Sequence, residues 1–175
     1  MKNLICLIFG IAILFFIQAC QDKKGKNYNK VDDDPDGTVF IKNGIESGMT
    51  EIKASGLAIT SSNNQKVIGL AKMMIEDHTK TGEELKQLET DKKINEKDTI
   101  NSMHQQMLND LAKKSGTAFD KAYLQMMVLD HQQAVKLFTT ASGNSDSKIK
   151  KIAGEYLPEI RMHLDSANAI CINLK

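Results

Sequence analysis

The chain has 175 residues, the length of one ordinary domain, and carries 23 Lys and Arg against 22 Asp and Glu. That balance speaks against a nucleic-acid binder, which needs a clearly basic surface. Two Pro, no Trp and 5% aromatic residues speak against a turn-rich β-sandwich or barrel, whereas nine Met and long Lys/Glu/Leu/Ala/Gln stretches point to helices.

Met1 to Cys20 reads as an address. Lys2 supplies a positive start, and Leu4 to Ile17 is an apolar run broken only by Gly10. The run closes on Ile17-Gln18-Ala19-Cys20, with a small residue before the cysteine. This ending resembles the lipobox of bacterial lipoproteins. The resemblance implies a signal peptide over 1–19 and a diacylglyceryl group on Cys20. The mature chain would then start at Cys20 and be held by acyl chains to a membrane of the bacterial envelope, on the periplasmic side or at the cell surface. The apolar run is short for a membrane span. Cys6 would leave with the signal and Cys20 would be lipidated, so Cys171 is expected as a lone thiol, buried and without an intramolecular disulfide.

Residues 20–44 read as a flexible tether from that anchor. Lys23-Lys24-Gly25-Lys26-Asn27 and Asp32-Asp33-Asp34-Pro35-Asp36-Gly37 offer little apolar surface to bury.

From about residue 45 to the end, apolar residues recur with the helical period. Segment A, about 45–61, carries Ile45, Met49, Ile52, Gly56 and Ile59 on one stripe. Segment B, about 64–90, follows an N-cap at Asn63 or Asn64. Segment C, about 98–115, ends near Gly116, read as a C-terminal cap glycine. Segment D begins after Thr117 as N-cap and runs to about Ala141, where Gly143-Asn144 breaks it. Segment E, about 146–173, contains Pro158, but its apolar period runs through that position, so one kinked helix is expected. The fold class is all-α: a four-helix bundle in which C is a short extra or crossover helix.

Three of the four histidines lie mid-helix on these apolar stripes. His78 shares its line with Val67, Ala71, Met74 and Leu85. His131 shares one with Leu124, Val128, Val135 and Phe138, and His163 one with Tyr156, Ile160, Ala167 and Ile170. Mid-helix positions sit at a similar height whichever way each helix runs, so the three imidazoles can converge. His104, on the short segment C, is left outside this set.

A Met-Met-aliphatic-x-Asp-His pattern occurs twice, at Met73 to His78 and Met126 to His131. It places Met74 and Met127 one turn before a histidine. Thioether with imidazole suits Cu(I); three imidazoles with a carboxylate suit Zn or Fe. Asp77 and Asp130 lie about 100° round the helix from their histidines and are expected to bond across a helix interface, as orienting partners. Glu51 and Glu159 are the well-placed glutamates. No histidine has Glu three residues before it, which speaks against a di-iron carboxylate centre. Read from the residues alone, the set is either a buried His/Asp network or a transition-metal site.

Several separated motifs resemble one family. They are Glu51-Ile52-Lys53-Ala54 with Leu57-Ala58, Ala71 through Thr79, Gly116 through Tyr123, Asp130-His131, and Leu157-Pro158-Glu159-Ile160-Arg161-Met162-His163-Leu164. In this order, over about residues 45–172, they resemble a ferritin-like domain of unknown function found in exported bacterial proteins, often labelled outer membrane proteins. The resemblance implies a ferritin-like bundle and no particular activity. Phe119-Asp120 and His131-Gln132-Gln133-Ala134 are also similar to a sister family of exported four-helix proteins linked to copper handling. That family carries two adjacent histidines where this chain has Asp130-His131.

Two functions follow as expectations. The first is a lipid-anchored envelope protein that binds a transition metal or small ligand through His78, His131 and His163, with Glu51, Asp77, Asp130, Met74 and Met127 assisting. The second is a structural or stress-related envelope protein whose polar core only holds the fold. An enzyme is disfavoured, because no Ser/His/Asp order, nucleophilic cysteine setting or carboxylate-rich centre occurs.

Overall fold

The computed structural model describes residues 37–174. The expected signal peptide, Cys20 and the tether up to residue 36 lie outside them. Among the described residues there are five helices and no strand: α1 Gly37–Ser61, α2 Gln65–Asp91, α3 Ser102–Leu111, α4 Gly116–Ala141 and α5 Ser147–Ile172. None is long and apolar enough to cross a membrane.

The local chemistry accounts for most boundaries. Asn64 caps α2 by accepting from the Lys66 amide at 3.0 Å. Asn101 caps α3 from the His104 amide at 2.8 Å, and Asp146 caps α5 from Lys148 and Ile149. α5 runs unbroken through Pro158.

Three expectations need correction. α1 begins at Gly37, not near residue 45, so residues 37–44 are helix rather than tether. Phe40 and Ile41 are buried with Ile45, one turn further on; their apolar surface is what recruits the extra two turns. The buried face of α1 also differs from the expected stripe. Ile59 is exposed, while Gly48, Thr50, Glu51, Ser55 and Ala58 face inward. Finally, α4 starts at Gly116 with Ser115 as its cap, so Thr117 lies in the first turn. Gly116 takes φ +56°, a left-handed conformation that favours glycine; it opens α4 and does not close α3, which ends at Leu111.

The helices form two antiparallel pairs, α1 with α2 and α4 with α5, laid side by side so that α1 also packs on α4 and α2 on α5. Two apolar clusters fix the directions. One joins the end of α1 (Ala54, Ala58) to the starts of α2 (Val67, Leu70) and α4 (Phe119, Tyr123) and the end of α5 (Ala167, Cys171). The other joins Phe40 and Ile45 to Leu85 and Leu88, Leu137 and Phe138, and Ile149 and Ala153. The link from α2 to α4 therefore travels the length of the bundle, the single long crossover of ferritin-like folds. α3 lies on that crossover and drives Leu108 and Leu111 into the first cluster. Lys42 holds the crossover's other end, donating to Glu89 and to the Glu96 carbonyl, each at 2.7 Å, and to Asp98.

Cys171 is buried and disulfide-bonded. The lone thiol expected for the processed chain therefore does not hold for the full chain, which keeps Cys6 and Cys20.

Candidate metal centre

Between the two apolar clusters lies a polar layer to which each long helix contributes from its middle. α2 gives His78, α4 gives His131, α5 gives His163 and α1 gives Glu51. All four are buried, Glu51 at 1% exposure and both His131 and His163 at 0%. The three rings form a near-equilateral triangle with centroids 5.2–5.3 Å apart and planes inclined at 54–74°. One nitrogen from each ring lies within 4.8 Å of the others. Three imidazoles on one tetrahedral ion, at about 2.0–2.1 Å per nitrogen, have centroids about 5.2 Å apart. The spacing of the ring centres therefore matches that of three imidazoles around one ion.

For neutral rings, the hydrogen bonds fix the tautomers. His131 Nδ1 lies 2.9 Å from the Met127 carbonyl, which can only accept, so Nδ1 carries the proton and Nε2 is bare. His163 Nε2 donates to Asp77 Oδ2 at 2.8 Å, leaving its Nδ1 bare. These two bare nitrogens, His131 Nε2 and His163 Nδ1, face each other at 3.3 Å. Two lone pairs so placed repel unless a proton or a cation lies between them. Two nitrogens on one tetrahedral Zn(II) are also about 3.3 Å apart.

A proton is the less favoured occupant. Burial pushes His131 down to about 4, aided by the neighbouring His78 and His163 and opposed by Glu51. Burial also lowers His163, against the pull of Asp77. His78 goes the other way: burial would lower it, but Glu51 outweighs that and raises it. Glu51 Oε2 lies 2.9 Å from His78 Nε2, and Oε1 lies 3.4 Å from His131 Nδ1. Burial would raise the Glu51 carboxyl, yet the rings of His131 and His78 hold it down, at about 2.

The other sequence-predicted residues divide. Asp77 orients His163, the carboxylate–histidine arrangement found behind metal ligands. Glu159 joins Asp77 and His163 in a second, half-buried group; burial and then Asp77 raise its carboxyl. Met74 and Met127 are fully buried within the first apolar cluster. Asp130 is not brought to the three histidines. It points to His104, with Oδ1 at 3.8 Å from Nε2.

His104, excluded on the grounds of its short helix, is fully buried. Its Nδ1 lies 2.8 Å from Glu46 Oε1, which also accepts the Asn101 amide at 3.0 Å. Burial opposes a charge there, but Asp130 and Glu46 outweigh it and lift His104 to about 10. Burial, with Glu51 and Glu46, raises Asp130 to about 6 against the pull of His104. This second network ties α3 to α1 and α4. Its signal was present in the sequence: His104, Leu108 and Leu111 share one helical face.

The chain belongs to the family defined by the domain of unknown function DUF4142, which matches residues 24–170. No curated protein and no solved structure matches it.

The depressed His131 has a measurable consequence. Between the ordinary imidazole value of 6.5 and about 4, the unfolded chain takes a proton that the folded one refuses. Its contribution is thus present above 6.5 and lost as the pH falls through 4, on the order of 3 kcal/mol. In urea titrations without added metal, the stability difference between the natural chain and His131→Gln should shrink by about that amount from pH 7 to pH 4. A difference independent of pH would show that His131 titrates normally.

Proposed function

We propose that this protein is an exported, lipid-anchored envelope protein whose bundle binds one transition-metal ion among His78, His131 and His163. The observation that carries the metal reading is the pair of bare nitrogens, His131 Nε2 and His163 Nδ1, facing each other at 3.3 Å. With a ring nitrogen of His78 they would form a three-imidazole set. The Glu51 carboxylate would balance the ion's charge, and Asp77 would hold His163 in the ligating tautomer. Imidazole with a carboxylate suits Zn(II), Fe(II) or Cu(II); the neighbouring Met74 and Met127 would favour Cu(I) only by turning a thioether into the centre. Lys2, the apolar run and Ala19-Cys20 support export and anchoring at Cys20.

A second reading has its own observation. His131 and His163 each already hold one hydrogen bond, to Met127 and to Asp77. The layer would then be a structural network in an envelope protein that acts through its surface.

Residues 20–175, made without a signal peptide or histidine tag, can be challenged separately with Zn(II), Cu(I) and Fe(II) and their metal content measured by mass spectrometry. One ion per chain is expected, lost in both His131→Ala and His163→Gln. No metal, together with a large fall in melting temperature in the variants, would make the histidines structural.

Anchoring is checked on protein taken from bacterial membranes. The mature N-terminal peptide should begin at Cys20 and carry a diacylglyceryl group on sulfur. A Cys20 sulfur found instead in the disulfide with Cys171 excludes that anchor.

A further inference from the structure

Below the histidine layer, towards the Phe40 end, lies a cavity of about 20 Å³ at which α1, α2, α4 and α5 meet. Small residues make the space: Gly44 and Gly48 on α1, Gly82 on α2 and Ala134 on α4. A hole of this size holds about one water-sized group. His131 and His163 do not line it. It meets the polar layer only along the edge formed by Glu51 and His78.

One polar atom on that edge lacks a hydrogen bond. Glu51 Oε1 is buried and without a hydrogen-bond partner, while Glu51 Oε2 pairs with His78 Nε2 at 2.9 Å. A buried carboxylate oxygen left in this way calls for a donor. Three imidazoles also leave one position of a tetrahedral ion open, which is the arrangement of sites that exchange a ligand.

We propose that the cavity admits a small neutral ligand bearing a hydrogen-bond donor, which donates to Glu51 Oε1 and takes the open position on the metal at the His78 edge. The class is that of two-heavy-atom molecules such as hydrogen peroxide and hydroxylamine. The proposal rests on the metal reading above. The carboxylate sets the selectivity: it accepts a donor and repels an anion of similar size.

Co(II) shares the tetrahedral preference of Zn(II), and its visible bands report changes in its ligands. Residues 20–175 loaded with Co(II) are titrated anaerobically with hydroxylamine, and separately with azide, a short anion without a donor. Hydroxylamine should move the bands saturably, at a concentration at least tenfold lower than azide. Ala134→Val, which fills the cavity and touches no ligand, should weaken the hydroxylamine response at least tenfold with Co(II) still bound. Should that variant not fold, Ala134→Met, longer and more flexible, makes the same test. Bands that neither probe moves, a stronger response to azide, or an Ala134 variant that responds like the natural chain would each overturn the proposal and leave the metal centre standing. A chain that binds no Co(II) overturns both.

Discussion

A carboxylate that is 1% exposed in the middle of a helical bundle must be met by positive charge or by donors, and the rest of the core is arranged around that demand. Glu51 sits away from bulk water, and burial alone would raise its carboxyl. Three histidines answer from the three other long helices. His78 takes the closest place, at 2.9 Å, and becomes the ring most inclined to carry charge. The other two are pressed towards neutrality and fixed by hydrogen bonds with their bare nitrogens face to face. A metal ion placed among the rings relieves two strains together: the carboxylate gains a counter-charge, and the lone pairs gain a shared acceptor.

The topology makes this possible. A single crossover puts α4 beside α1 and α5 beside α2, so each long helix brings its midpoint to the same level. The apolar clusters above and below keep water away and fix the rings in place. The crossover has its own electrostatic clasp, in which a charged His104 sits between Glu46 and Asp130. Asp130 and His131 are chain neighbours that serve different networks, because one residue turns a side chain about 100° round a helix.

Much of the frame was legible from periodicity. The mid-helix histidines on α2, α4 and α5 announced their meeting, since equal height in a bundle follows from length alone. The start of α1 was hidden because Thr38 to Ile41 follow an acidic, proline-containing stretch that reads as linker. The inward face of α1 was hidden because it is built from Gly48, Thr50, Glu51 and Ser55, residue types that an apolar count passes over. His104 was missed because a ten-residue helix was weighed by its length and not by the face it shares with Leu108 and Leu111. Which nitrogen of each ring is bare cannot be read from spacing at all; it depends on the Met127 carbonyl and on Asp77, a partner from another helix.

In the proposed centre, His131 and His163 present two bare nitrogens to one ion. Nitrogen-15 NMR of the histidine side chains tests it most directly, recorded at pH 7 before and after one equivalent of Zn(II). The proton of His131 is expected on Nδ1 and that of His163 on Nε2 in the metal-free chain, with His131 Nε2 and His163 Nδ1 shifting on addition of the ion. A proton on His131 Nε2 or on His163 Nδ1, unmoved by Zn(II), would contradict it.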